Sequence, residues 1–295
     1  MRVRRTLPQR ARSLIGAWCF VDHYGPDDVS RTGGMDVPPH PHTGLQTVTW
    51  LFTGEIEHRD TTGAHALVRP GEVNIMTAGH GVAHSEQSTD ACRTLHGVQL
   101  WTVLPDASRH TERDFLHHVT EPVDLGGARA RVLIGTLAGH TSPVPAYSPL
   151  LGAELVLDPS AHVTVELDAG FEHGVLVDQG PVRAHDLDLE PSELGYLPPG
   201  GRELRLTNLT DEPARVMLLG GEPFEEPVMM WWNFIGRTHE EIVAYREAWE
   251  AGSEQFGHVQ GYTGRVERLP APAMPTVRLK PRMKPPGPGD PSAWG

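Results

Sequence analysis

Short runs of β-branched and aromatic residues, each cut off by glycine or proline, follow one another along the chain. LQTVTWLFT (45–53) stops at Gly54, a second run ends against Pro70, EVNIM (72–76) precedes Gly79, and HGVQLWTVL (96–104) stops at Pro105. Further on, AELVLD (153–158), HVTVELD (162–168), HGVLVD (173–178), RELRLTNL (202–209) and ARVMLLG (214–220) alternate apolar with polar residues, as half-buried strands do. With 32 glycines and 27 prolines in 295 residues, the chain has the turn chemistry of many short strands and too many breakers for a helical bundle. Hydrophobic residues make up 38%, enough for a packed core, so wholesale disorder is excluded. The expectation is an all-β protein of barrel or sandwich type.

The strand pattern occurs twice. GEVNIMTAG (71–79) matches SELGYLPPG (192–200), and FTGEIEHRD (52–60) loosely matches VDQGPVRAHD (177–186), with offsets of 121 and 126 residues. A repeat of that length is a duplicated domain. The division falls in the Gly/Pro-rich stretch 138–150. It predicts an N-terminal barrel over 1–137, a C-terminal barrel with a closing helix over 151–267, and a proline-rich tail over 268–295. The helix is announced by Thr238 and Glu241 at capping-box spacing, with Ile242, Tyr245 and Trp249 on one face and Gly252 at its end. The tail, with eight prolines and Lys280, Arg282 and Lys284, is expected to be extended and poorly packed. The five arginines of residues 1–12 read as a solvated arm.

A net charge of −13 argues against direct contact with nucleic acid phosphates, and no polybasic patch faces a membrane. No apolar stretch is long enough to span a bilayer, and no signal-peptide core follows the N-terminal arginines. Two cysteines, Cys19 and Cys92, cannot make a disulfide framework, which points to the cytoplasm. Cys92 reads as a quiet thiol.

Histidine is unevenly spread: eleven of 17 fall in the first 118 residues. His40 and His42, in Pro-His-Pro-His, stand two apart, so on a strand both imidazoles face one way, and Pro41 holds His40 extended. Taken alone, a proline-stiffened turn with two solvated histidines explains the motif equally well. His84 and Glu86 repeat the spacing in TAGHGVAHSE (77–86). Three imidazoles and a carboxylate suit a six-coordinate first-row metal with two positions open, and suit closed structural zinc poorly. His80 reads as a near-site or surface residue. His23 and His58 are either donors that orient the ligands or strand-end hydrogen bonders. Trp50, Phe52 and Trp101 line a pocket for a flat substrate or belong to the core.

The segment GGMDVPPHPHTGLQTVTWLFTGEIEHRD, followed by GEVNIMTAGHGVAHSE, resembles the pirin family of the cupin superfamily, and MWWNFIGRTHEEI (230–242) resembles the pirin C-terminal signature. The resemblance covers roughly residues 1–250. It implies a bicupin of two face-to-face cupin barrels, with one divalent metal ion in the N-terminal barrel. That ion is usually Fe(II), with Cu, Mn, Ni or Zn as alternatives. The positions matching the family's ligands are His40, His42, His84 and Glu86. Ordinary cupins carry a glutamate soon after the H-x-H pair; this chain has Gln46 and Thr47, as the pirin pattern allows. The second barrel, with His162, His173 and His185 standing singly, is expected to hold no metal. Two functions follow from the resemblance. One is a quercetin 2,3-dioxygenase type of enzyme that opens a flavonol ring with O₂, with Glu86 as proton acceptor. The other is a metal- or redox-dependent transcriptional coregulator that acts through a protein partner. A sugar isomerase or other cupin metal enzyme is a third, weaker reading. The oligomeric expectation is a monomer.

Overall fold

The computed structural model describes residues 1–281. The chain forms two barrels, each an antiparallel six-stranded sheet curled against a four-stranded one. In the first barrel the large sheet runs in the order Val3–Leu7, Trp18–Asp28, Thr94–Val103, Leu45–Thr53, Glu72–Thr77, Asp114–Val119. Its small sheet runs Asp36–His42, Val82–Ser88, Ile56–Asp60, His65–Val68. The second barrel repeats this plan, with Leu150–Leu157, Ala214–Gly221, Glu172–Gln179 and Leu194–Leu197 adjacent in its large sheet. Its small sheet runs His162–Glu166, Glu203–Asn208, Val182–Ala184, Leu187–Leu189. The two sequence copies occupy equivalent strands in this duplication. The second large sheet also recruits Pro122–Asp124 and Ala128–Ile134, so it begins before the Gly/Pro-rich stretch at 138–150.

The large sheets meet face to face. Trp18, Val48, Trp50, Val98 and Leu100 from one interdigitate with Ile134, Leu150, Leu176, Met217 and Leu219 from the other, all buried. Each such side chain contributes about 1.5–3 kcal/mol. Both indoles carry a polar handle across the seam: Trp18 donates to Leu151 O at 3.0 Å and Trp50 to Glu154 Oε2 at 2.6 Å. Trp50 therefore belongs to the seam.

Three expectations change. The N-terminal arginines are not a free arm, because Val3–Leu7 is an edge strand on Trp18–Asp28. Arg5 makes a bidentate pair with Asp22 at 2.9 Å, and Arg12 lies over the Tyr196 ring at 3.3 Å. The helix His239–Glu250 has its Thr238–Glu241 capping box, but it does not close the second barrel. Its apolar stripe, Ile242 and Trp249, packs with Phe234, Phe256 and Ala83 on the outside of the first barrel. The segment before it is tied there too, with Ile235 N donating to Thr43 O at 3.1 Å. The tail is packed as far as it is described: Leu269 N donates to Pro39 O at 2.8 Å, and Arg246 binds Pro272 O at 2.6 Å. Arg282 and Lys284 lie outside the described residues. Because the Thr238 hydroxyl satisfies Glu241 N, Thr238→Ala should cost about 0.5–2 kcal/mol of stability, read as a lowered denaturation midpoint.

Candidate metal centre

His40 and His42 end the strand Asp36–His42, and His84 and Glu86 lie on its neighbour Val82–Ser88. The register sets His40 opposite His84 and slips between Val37 and His40, where Pro38 and Pro39 cannot donate to the ladder. Two strands with a two-residue period thus bring three buried imidazoles together, their ligand nitrogens all within 4.8 Å of one another. His42 Nε2 and His84 Nε2 are 3.1 Å apart.

The outer ring nitrogens fix the tautomers. His40 Nδ1 donates to Pro38 O at 2.9 Å and His42 Nδ1 to Asn233 O at 3.1 Å. A carbonyl can only accept, so the Nε2 atoms carry lone pairs. Burial lowers the pKa of all three rings, that of His40 to about 4, so they stand as neutral ligands. His84 Nδ1 is 3.4 Å from His58 Nδ1, and His58 Nε2 is 2.9 Å from the buried Asp60 carboxylate. His58 thus stands between the His84 ring and the Asp60 carboxylate. His58→Ala should weaken metal binding roughly 10–100-fold, measured by competition with a chelating dye.

Glu86 groups with His84 and His58, outside the tight three-histidine set. Burial raises its pKa, opposed by the nearby His58 and by Thr49, whose hydroxyl is 3.4 Å from Oε1. All four expected donors line one cavity of about 180 Å³. Its walls are Phe20, Tyr24, Val37 and Trp101, with Met1 and Val3 at the N-terminal strand. Trp101 stacks on Phe20 at 4.0 Å and sets its ring edge-on to His42 at 5.0 Å.

Other expected candidates lie elsewhere. Gln46, at the usual cupin glutamate position, is spent on Thr77 and Thr102. His80 binds Thr111 O at 3.2 Å, away from the trio. Phe52 packs under Arg215, 4.7 Å from ring centroid to guanidinium, at the seam. His23 faces the second barrel. Cys92 is buried, with Thr94 O 3.6 Å from its sulfur. His162 is exposed against Thr207, His185 sits in a turn at φ 53°, and His173 is buried alone in the second barrel.

Three contributors escaped the sequence reading. Tyr24 was visible in the alternation Phe20, Asp22, Tyr24, all facing the cavity. Its hydroxyl is buried with no partner, and burial pushes its pKa well above the usual phenol value, so it stays protonated. Asp60 gave no signal beyond sitting two residues after His58. The Asn233 carbonyl could not be read at all, since it comes from 191 residues away. It approaches through Gly44, where an added Cβ would lie 2.5 Å from Ile235 O.

Residues fit a metal here: neutral nitrogen donors converge with their outer nitrogens anchored, and a carboxylate stands beside them. Comparison with known proteins gives the same picture for the whole chain. The pirin family profile matches residues 1–102, and that of the pirin C-terminal cupin domain matches residues 152–257. A Pseudomonas aeruginosa protein, provisionally named a quercetin 2,3-dioxygenase, is 44% identical over 92% of this chain and 86% of its own. A pirin-like protein of Caulobacter vibrioides is 36% identical over 85% of this chain and 88% of its own. The crystal structure of a quercetin 2,3-dioxygenase from Acinetobacter baumannii superposes with a TM-score of 0.89 at 38% identity, covering 94% of this chain and 92% of that one. With both halves matched and the two-barrel architecture in common, the chain belongs to the pirin family.

Proposed function

We propose that the protein is a mononuclear metal oxygenase of the quercetin 2,3-dioxygenase type, with His40, His42, His84 and Glu86 holding one divalent ion, Fe(II) above Cu, Mn, Ni or Zn. The observation that carries this reading is an apolar cavity with three neutral imidazoles and a buried carboxylate in its wall. The related proteins named for this activity support it. The ion, when bound, supplies Lewis acidity that lowers the pKa of a substrate hydroxyl.

The chain's own residues do the rest. The stacked pair Phe20 and Trp101 forms an apolar wall for a flat ring, Trp101 also buttressing His42. A cavity of about 180 Å³ suits one aromatic ring, since an apolar cavity of about 150 Å³ holds benzene. The remainder of a flavonol lies toward Met1 and Val3. Glu86 accepts the hydroxyl proton on a carboxylate oxygen, and its raised pKa makes it a stronger base than a solvated glutamate. Tyr24 offers the one O–H in the wall that lacks an acceptor. We assign this chemistry to the N-terminal barrel, with the Asn233 carbonyl as the later chain's contribution to it, and place the protein in the cytoplasm. No helix among the described residues is long and apolar enough to cross a membrane.

The test is oxygen uptake by the metal-loaded protein with a flavonol, against free metal. Uptake above that background supports the oxygenase. None across several flavonols and metals would favour the second reading, a metal-dependent coregulator, for which a cavity smaller than a whole flavonol already speaks.

A further inference from the structure

His23, His96 and Asp178 meet at the seam between the barrels. Phe20, Asp22 and Tyr24 face the first cavity, so His23, on the alternate face of Trp18–Asp28, points at the second barrel. His96 lies on the neighbouring strand Thr94–Val103. Asp178 is the residue skipped at the bulge between Val177 and Gln179, and bulges re-aim side chains in this way. All three are buried.

We propose that these residues form a second metal site, between the barrels, for a divalent first-row ion such as Zn(II) or Co(II). Two imidazoles and a carboxylate are a donor set for such ions. His23 Nε2 and His96 Nε2 each lie 2.6 Å from Asp178 Oδ1 and 3.4 Å from one another. A point about 2.0–2.1 Å from all three atoms exists, the usual ligand distance. In the metal-free chain Oδ1 accepts from both Nε2–H groups, and a bound ion would take the place of those two protons. The same convergence of Nε2 atoms marks His42 and His84 in the first barrel.

The surroundings are those of an oriented site. Arg215 occupies the other carboxylate oxygen at 3.0 Å, leaving Oδ1 to the ion. Arg215 is itself shared with Glu154 at 3.2 Å. Ser192 Oγ, 3.0 Å from His23 Nδ1, fixes that ring. Phe52 sets its ring edge-on to His96 at 5.1 Å and walls off the seam. The His96 side chain keeps 11% of its surface exposed, which gives an ion its way in. Because one ligand comes from the second barrel, binding here ties the two barrels together.

The test is Co(II) titration of the chelator-stripped full chain, read by metal analysis, visible absorption and Tm. Wild type should take up two Co(II) per chain, and His96→Ala one. His42→Ala, which disables the first site, should keep one Co(II) and still gain Tm on binding it; adding His96→Ala or, separately, Asp178→Asn should abolish both. If either His42→Ala or Asp178→Asn does not fold, the comparison of wild type with His96→Ala decides alone. One Co(II) in wild type, or a second Co(II) unaffected by His96→Ala, would overturn the proposal and leave the cluster a hydrogen-bonded tether.

Discussion

His42→Ala should strip the first site of its metal. The imidazole contributes one of three nitrogen donors, and its Nδ1 bond to Asn233 O is what aims Nε2 at His84. Alanine removes the donor and the anchor together, and the pocket is too buried for a second side chain to swing in. Loss of an outer-sphere partner already costs roughly 10–100-fold in affinity, so loss of the ligand itself should cost more. At equimolar metal the occupancy falls from nearly full to a small fraction. Measured in a His96→Ala background, so that only this site is read, full retention of metal would remove the three-histidine assignment. Thermal denaturation of the metal-free proteins serves as the folding control.

Glu86→Gln separates binding from chemistry. Glutamine keeps the shape and one oxygen donor but cannot take up a proton. Metal affinity should therefore fall only partly, while flavonol turnover, corrected for metal content, should fall by roughly 10²–10⁴, the usual contribution of a positioned base. His84→Ala, in contrast, should lose metal and turnover together. Equal corrected oxygen-consumption rates for wild type and Glu86→Gln would exclude Glu86 as the base. Glu86 stands beside the trio and against His58, outside the three-histidine set.

What was legible in the sequence is what depends on strand period and on proline. His40 with His42, and His84 with Glu86, declare themselves because a two-residue spacing fixes a common face whatever the rest of the chain does. The duplicated strands are legible for the same reason. What escaped depends on pairing over long distance. An amphipathic stripe at Ile242 and Trp249 says that the helix buries one face, but not which barrel it meets; Phe234 and Ala83 decide that in three dimensions. The arginine density of residues 1–12 hid the run Val3–Leu7, which makes an edge strand. The Asp178 bulge could not be foreseen, since one skipped residue in Glu172–Gln179 leaves no mark on composition.

The Asn233 carbonyl has a consequence for how the protein is made. All four donors of the first site are synthesised by residue 86, yet the atom that orients His42 is translated 191 residues after His42. A nascent or truncated chain ending within the second barrel would carry the ligands with one of them unaimed, and should bind metal more weakly than the whole chain. Tight capture should therefore wait until the segment carrying Asn233 has crossed back over the first barrel, which would make metal uptake a late step of biogenesis.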